Sequence, residues 1–142
     1  MVKVEGSITI NAPVEKVFAY LDDPAHGMDF IPSITNIRDI TGKGVGQKWG
    51  WTYKMMGLPL KGEAEVTEYI PNRRCVAKTT GGIISTWTFT LKAKAGGTRL
   101  HLVIEYTIPV PVLGKVGEKL VLRLNEREAA FAIANLKDKL EG

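Results

Sequence analysis

The chain has 142 residues, of which 44% are hydrophobic and 24% charged, and 19 Lys and Arg against 15 Asp and Glu give a net charge of +4. This length predicts one domain over residues 1–142, and the apolar fraction excludes a disordered chain. The single cysteine, Cys75, excludes an internal disulfide framework and a multi-cysteine metal site. No apolar run approaches the ~20 residues of a membrane span, and the polar start at 1–7 is unlike a secretory signal, so we expect a cytoplasmic protein.

The basic residues do not form a nucleic-acid-binding pattern. They are scattered along the chain, and their longest uninterrupted run is the pair Arg73-Arg74. A surface that follows phosphates usually concentrates Lys and Arg on one face or one helix. We therefore expect no nucleic-acid partner.

The N-terminal part predicts a strand followed by two short helices. Apolar residues alternate loosely from Val2 to Ile10, which indicates a strand. Residues 11–15 are typical of a helix start, with the cap at 11 or 12, a proline in the first turn and Glu15 at the positive end of the helix dipole. The helix should end before Pro24, where a second short helix can begin that Gly27 interrupts or ends.

Between residues 34 and 108 the apolar pattern changes to a period of two, which predicts six strands. The clearest is 49–55, where large apolar side chains alternate with Gly, Thr and Lys. Glycine-, proline- or asparagine-containing turns separate the strands at 41–46, 57–59, 71–72, 81–82 and 96–97. Such short connections predict an antiparallel meander with one buried and one solvated face.

Residues 116–140 predict one long helix, because this segment has no glycine or proline after Gly117. About 25 residues at 1.5 Å per residue give a length of roughly 37 Å. One side of the helix carries Leu120, Leu124 and Phe131, and a second apolar edge carries Leu122, Ala129, Ile133 and Leu136. So wide an apolar face predicts that the helix lies across the inner face of the sheet.

Four segments carry a family resemblance: residues 7–18 (SITINAPVEKVF), Asp22-Asp23-Pro24, the glycine-rich turn 42–46 with Trp49, and residues 97–100 (GTRL). With the order of elements, they resemble the START/birch-pollen-allergen superfamily, which includes polyketide cyclase/dehydrase-like and lipid-transport proteins. The resemblance covers the whole chain. It implies an α+β helix-grip fold, in which a strongly curved antiparallel sheet of about seven strands wraps around the long C-terminal helix, with two short helices after strand 1. It also implies an internal cavity for hydrophobic ligands.

The sequence contains no motif for a metal, a cofactor or a catalytic nucleophile. The turn 42–46 lacks the Gly-Lys-Ser/Thr sequence of a phosphate-binding loop, and the segment after it is a predicted strand. His26 and His101 are far apart and lack a metal-ligand spacing, and no Gly-x-Ser-x-Gly sequence occurs. We expect neither a metal nor a cofactor.

Aromatic side chains on the predicted inner face are the candidate ligand site. For any one of them, packing in a filled core is the commoner role, but buried Tyr hydroxyls and Trp N–H groups need partners, which favours a cavity with polar groups. The residues predicted to bind the ligand are Phe30, Trp49, Trp51, Tyr53, Met55, Trp87, Phe89, Tyr106, Leu120, Leu124, Glu128 and Phe131.

Glu128 has two interpretations. At about 100° per residue it falls between Leu124 and Phe131 on the predicted inward stripe. It is either a rim residue paired with an arginine, such as Arg99 or Arg127, or a cavity carboxylate that orients a polar ligand group or transfers a proton.

The loops predict two different ends of the sheet, because successive turns of a meander alternate between its ends. The loops 55–60, 81–84 and 108–113 are apolar, whereas 42–48, 71–74 and 94–99 are polar and basic. Apolar loops are unusual at a surface unless they cover a cavity or contact a membrane or a partner. We expect the ligand to enter through the apolar end.

The leading hypothesis is a small domain that binds or transports a hydrophobic, lipid-like or polyketide-like ligand between the sheet and the long helix. The alternatives are a polyketide cyclase/dehydrase-like enzyme, and an accessory protein that contacts a protein or membrane through its apolar loops. An enzyme should bring several acid–base groups together in the cavity, and a docking protein should have a filled core. The sequence favours binding, and it leaves monomer and weak dimer open.

Overall fold

The computed structural model describes residues 2–55, 57–107 and 114–142, and at 114–122 and 124 it describes the backbone alone. The elements in chain order are β1 (Val2–Ile10), α1 (Val14–Leu21), a 3-10 turn (Pro24–His26), α2 (Gly27–Phe30), β2 (Ile34–Thr41), β3 (Lys48–Met55), β4 (Leu58–Ile70), β5 (Arg74–Gly81), β6 (Ile84–Lys94), β7 (Gly97–Thr107) and α3 (Gly114–Glu141). Among these helices, none is both long and apolar enough to cross a membrane.

All seven strands form one antiparallel sheet in the order β1-β7-β6-β5-β4-β3-β2. The six strands after the helices are a meander of neighbours, and β1 pairs with β7 along its whole length, from Val2 opposite Tyr106 to Ile10 opposite Thr98. Bulges in the β2–β3 and β4–β5 pairs, the latter between Val66 and Glu68, bend the strands. With α3 beside it, this sheet confirms the predicted helix-grip fold.

The two short helices connect β1 to β2. Pro13 is the N-cap of α1, one or two residues later than the sequence predicts, and Val17 and Phe18 are its buried face. After α1, the Asp23 carboxylate accepts a hydrogen bond from the Ala25 N–H at 3.0 Å and caps the 3-10 turn. The chain then continues as α2, so the predicted second helix is divided at Gly27.

The core between sheet and helix is built from the second apolar edge of α3. Ile133 and Leu136 of this edge are buried, together with the neighbouring Ala132, against residues such as Ile10 and Leu100. This shifts the inward stripe of the helix away from the side that was predicted.

Phe131 corrects the sequence prediction: it does not line the inner face and is 54% exposed. With Ala129, Ala132, Ile133 and Leu136 buried, the inward stripe has the helical spacing of three, four and seven residues. At about 100° per residue, Phe131 lies roughly 150° from the middle of that stripe, nearly on the opposite face of the helix.

Candidate functional site: a cavity between the sheet and the long helix

A cavity of about 170 Å³ lies between the sheet and α3, more than ten times the 10–15 Å³ needed for one water molecule. One wall is the inner face of the sheet, to which all seven strands contribute, a second is the segment 21–31 that contains α2, and a third is α3 with Ala129 and Ala132. The described side chains therefore leave part of the interior unfilled.

Most of the predicted residues line this cavity: Phe30, Trp49, Trp51, Tyr53, Met55, Trp87, Phe89, Tyr106 and Glu128. Phe131 is absent from the wall, because it lies nearly opposite the inward stripe of α3. The side chains of Leu120 and Leu124 lie outside the described residues. Ligand binding by the nine lining residues stays a prediction.

The aromatic wall is built by the alternation of β3. Trp49, Trp51, Tyr53 and Met55 occupy every second position and share one face of the strand. Trp51 pairs with Gly62 on β4, and a Cβ atom at position 62 would lie only 2.4 Å from Cζ2 of the indole. The glycine therefore leaves the space that the Trp51 ring occupies.

A polar cluster interrupts the apolar wall near the β3–β4 turn. The Glu128 carboxylate accepts a hydrogen bond from the Ser33 N–H at 2.8 Å and a second, short one from the Tyr53 hydroxyl. The Asn125 amide donates to the Tyr106 hydroxyl at 2.8 Å, and its Oδ1 lies 3.5 Å from the Tyr53 hydroxyl oxygen. We call these five residues the polar cluster. It brings three ionisable side chains together at one place in the cavity.

The structure bears on the two interpretations of Glu128. Arg99 is on the outer surface, where it donates to the Thr9 hydroxyl at 3.1 Å, and Arg127 is exposed. No ion pair among the described residues joins Glu128 to either arginine, and its role as a cavity carboxylate stays a prediction. The Glu128 side chain lines the cavity, and its two observed partners are both neutral donors.

The tyrosines of the cluster are held in their protonated form. Burial raises the pKa of Tyr53 far above its ordinary value, and the negative charge of Glu128 raises it further. Burial also raises the pKa of Tyr106. At neutral pH both side chains are hydroxyl groups that can donate hydrogen bonds.

A second set of polar groups lies toward the opposite end of β4. Asp22 accepts a hydrogen bond from the Tyr69 hydroxyl at 3.0 Å, and Tyr69 pairs with Cys75 across the β4–β5 ladder. Burial, and then the charge of Asp22, raises the pKa of the Cys75 thiol to about 11. The neighbouring Asp23 also lines the cavity, and its side chain is 52% exposed, which marks a place where the wall meets solvent.

Sequence reasoning missed several of these groups. Asn125 is one helical turn before Glu128 on the same side of α3, a spacing that could have identified it once Glu128 was chosen. Ser33 contributes a backbone N–H, for which its side chain gives no signal. Among the described residues, no group of three or more His, Cys, Asp and Glu side chains is arranged to hold a metal ion.

The two ends of the sheet differ less than the loops predict. Leu58 and Ile84 are exposed at the apolar end. At the end predicted to be polar, Val45 is exposed, and so is Ile70, which directly precedes the loop 71–74. Residues 108–113, the third apolar loop, lie outside the described residues. The apolar end as the way into the cavity therefore stays a prediction.

Solved structures share this fold at low sequence identity. TTHA0849 from Thermus thermophilus has a TM-score of 0.86 at 20% identity, over 98% of this chain and 97% of that one. The Zhui aromatase/cyclase from Streptomyces sp. R1128 has a TM-score of 0.80 at 17% identity, over 99% and 93%. Ara h 8.0201 has a TM-score of 0.70 at 14% identity, over 98% and 97%. These likenesses show the fold alone.

The family is shown by the sequence. No curated protein matches the chain significantly. Residues 1–141, however, match the family model described as polyketide cyclase / dehydrase and lipid transport. This match confirms the resemblance on which the fold was predicted. The chain belongs to the polyketide cyclase/dehydrase and lipid transport family.

Proposed function

We propose that the protein binds a small hydrophobic ligand in the cavity between the sheet and α3. The observation that carries the proposal is the composition of the wall, in which indole, phenyl and aliphatic groups predominate and a few polar groups, among them the polar cluster, interrupt them. Ligand pockets are typically apolar cavities in which a few polar groups fix the orientation of the ligand. The cavity argues against the alternative of an accessory protein with a filled core that only docks on a partner.

An apolar dye tests the proposal directly. An environment-sensitive dye should bind the full chain at micromolar concentration, about −8 kcal/mol, and should quench the tryptophans of the wall. A dye that neither binds nor quenches would overturn it.

A pair of alanine variants locates the binding. Ala129 is buried and lines the cavity, whereas the next residue, Ala130, is exposed on the other side of the helix. Ala129→Leu fills part of the cavity and should weaken dye binding at least ~10-fold, which corresponds to about 1.4 kcal/mol. Ala130→Leu is the matched control and should bind as the wild type does. Equal affinity in both variants would place the dye elsewhere.

The convergence of Glu128, Tyr53 and Tyr106 favours a second candidate, a polyketide cyclase-like enzyme. An aldol cyclisation needs a group that removes a proton and donors that stabilise the resulting enolate, and a carboxylate beside two phenols offers both. A synthetic linear poly-β-ketone should then cyclise faster with the wild type than with Tyr53→Phe, as followed by the absorbance of the aromatic product. Equal rates in the two proteins would contradict the enzyme and leave ligand binding as the one proposed function.

A further inference from the structure

We propose that the cavity selects an uncharged, hydroxyl-bearing ligand and excludes anionic amphiphiles such as carboxylates and phosphate esters. The hydroxyl would donate to Glu128 and accept from Tyr106. This inference deepens the proposed function and rests on it. The ligand itself is defined only by this chemistry.

Glu128 supplies the acceptor. Each of its carboxylate oxygens accepts one hydrogen bond, one from the Ser33 N–H and one from the Tyr53 hydroxyl. A carboxylate oxygen can accept two, and a carboxylate donates none. The remaining acceptor positions therefore suit a ligand group that carries a hydrogen.

Tyr106 supplies the donor. Its oxygen accepts the hydrogen bond from the Asn125 amide, and no described residue accepts a hydrogen bond from its hydroxyl. Tyr106 is 4% exposed and lines the cavity, so water from outside does not solvate it freely. A buried hydroxyl group that donates no hydrogen bond is unfavourable, and an oxygen atom of the ligand would accept this hydrogen bond.

The charge of the wall excludes the anions. Within the described part of the chain, the acidic side chains along the cavity are those of Asp22, Asp23 and Glu128, and no Lys, Arg or His belongs to the wall. An anionic head group would lose its hydration and face like charge, two effects that both disfavour it. This contrasts with the net charge of +4 of the whole chain, which attracts anions from a distance.

Three probes with one skeleton test the selection: naphthalene, 2-naphthol and 2-naphthoate, titrated into the full chain by calorimetry at neutral pH. We expect 2-naphthol to bind about 10-fold more tightly than naphthalene, because it makes a hydrogen bond to a charged group. We expect 2-naphthoate to bind at least ~10-fold more weakly than naphthalene, because its carboxylate faces Glu128.

Glu128→Gln removes the negative charge of the carboxylate. It keeps the shape of the side chain and an oxygen atom that can accept the hydrogen bond from the Ser33 N–H. In this variant the ratio of the 2-naphthol and 2-naphthoate affinities should shrink by about 10-fold or more, since the repulsion is gone. Glu63→Gln is the control, because Glu63 is exposed on β4 and is not part of the wall. It should leave the ratio unchanged.

The outcomes separate this inference from the proposed function. Equal binding of all three probes, or a ratio that Glu128→Gln does not change, overturns the selection and leaves hydrophobic binding intact. If none of the probes binds and the dye does not bind either, the proposed function itself fails.

Discussion

At the residue scale, Cys75 reports on the cavity because its thiol is part of the wall. Its pKa is raised from 9.0 to about 11 by burial first and by the charge of Asp22 second. The thiolate is the reactive form, so alkylation by iodoacetamide should still accelerate between pH 9 and 11 in the folded protein. The urea-unfolded chain is the control, and its rate should level off above pH 9.

The same shift predicts how stability depends on pH. Below pH 9 the thiol is protonated in both states, so its contribution to stability is fully present. As the pH rises from 9 through about 11, the unfolded chain releases the proton first, and the free energy of unfolding falls. In a Cys75→Ser variant, the free energy of unfolding should fall less over the same pH range. An alkylation rate that levels off near pH 9 in the folded protein would contradict the half-buried position of the thiol beside Asp22.

Glu128 shows what a sequence can and cannot predict about a single residue. The helical period predicts that it lies near the inward stripe, and the structure places it on the cavity wall. Its partners are not predictable in this way. Ser33 lies in the turn before β2 and Tyr53 lies on β3, 95 and 75 positions away in the chain, and the fold of the sheet around the helix brings them to Glu128.

At the element scale, the pair β3–β4 depends on Gly62. A Cβ atom there would lie 2.1 Å from the Thr80 carbonyl oxygen and 2.4 Å from the Trp51 ring, distances at which the structure must shift. Gly62→Ala should lower the free energy of unfolding by about 1–3 kcal/mol in urea denaturation, and it should change the fluorescence of Trp51.

Gly6→Ala is the matched control in another strand. The nearest atom to its new methyl group is the Cδ1 of Ile133 at 3.1 Å, the end of a side chain that can move. Its effect should stay below about 1 kcal/mol. A Gly62→Ala variant as stable as Gly6→Ala would mean that Trp51 does not pack on the β4 backbone.

The turns between strands test where the ligand enters. The sequence predicts the apolar end, so the amides around Gly57 and Gly82 should gain protection from hydrogen exchange when 2-naphthol binds, because local opening there becomes less frequent. The control is the same experiment on Ala129→Leu, in which the gain should be smaller. Protection confined to residues 21–31 would instead place the opening beside Asp23, where the cavity wall is exposed.

The helix α3 marks the limit of sequence patterns at this scale. Its apolar residues form two edges, and periodicity alone does not tell which edge faces the sheet. The prediction chose the edge with Phe131, the larger side chain. The structure buries Ala129, Ile133 and Leu136 of the other edge instead, and Ala129 lines the cavity.

At the scale of the whole molecule, the fold was predictable because its signals are local and consistent. The alternation of 49–55 and the short turns define a meander, and a segment without helix breakers defines α3. The cavity was predictable chiefly from the family resemblance, with support from the aromatic residues on the inner face, since it is a space and no residue encodes it by itself. Its polar cluster needs the register of distant elements, which no local pattern contains.

An unfilled interior leads to a prediction about the stability of the whole protein. A ligand that binds only the folded state stabilises it by about 2.7 kcal/mol at 100 times its Kd, which should raise the Tm by roughly 5–10 °C for a chain of this size.

Ala129→Leu occupies part of the empty space with apolar atoms, so without ligand it should melt at or above the wild-type temperature. With 2-naphthol its Tm should rise less than that of the wild type, whereas Ala130→Leu should show the full rise. Differential scanning calorimetry with and without the ligand checks both expectations. If Ala129→Leu alone is destabilised by more than about 2 kcal/mol, the space beside α3 is already filled in solution, and the cavity on which binding depends is absent.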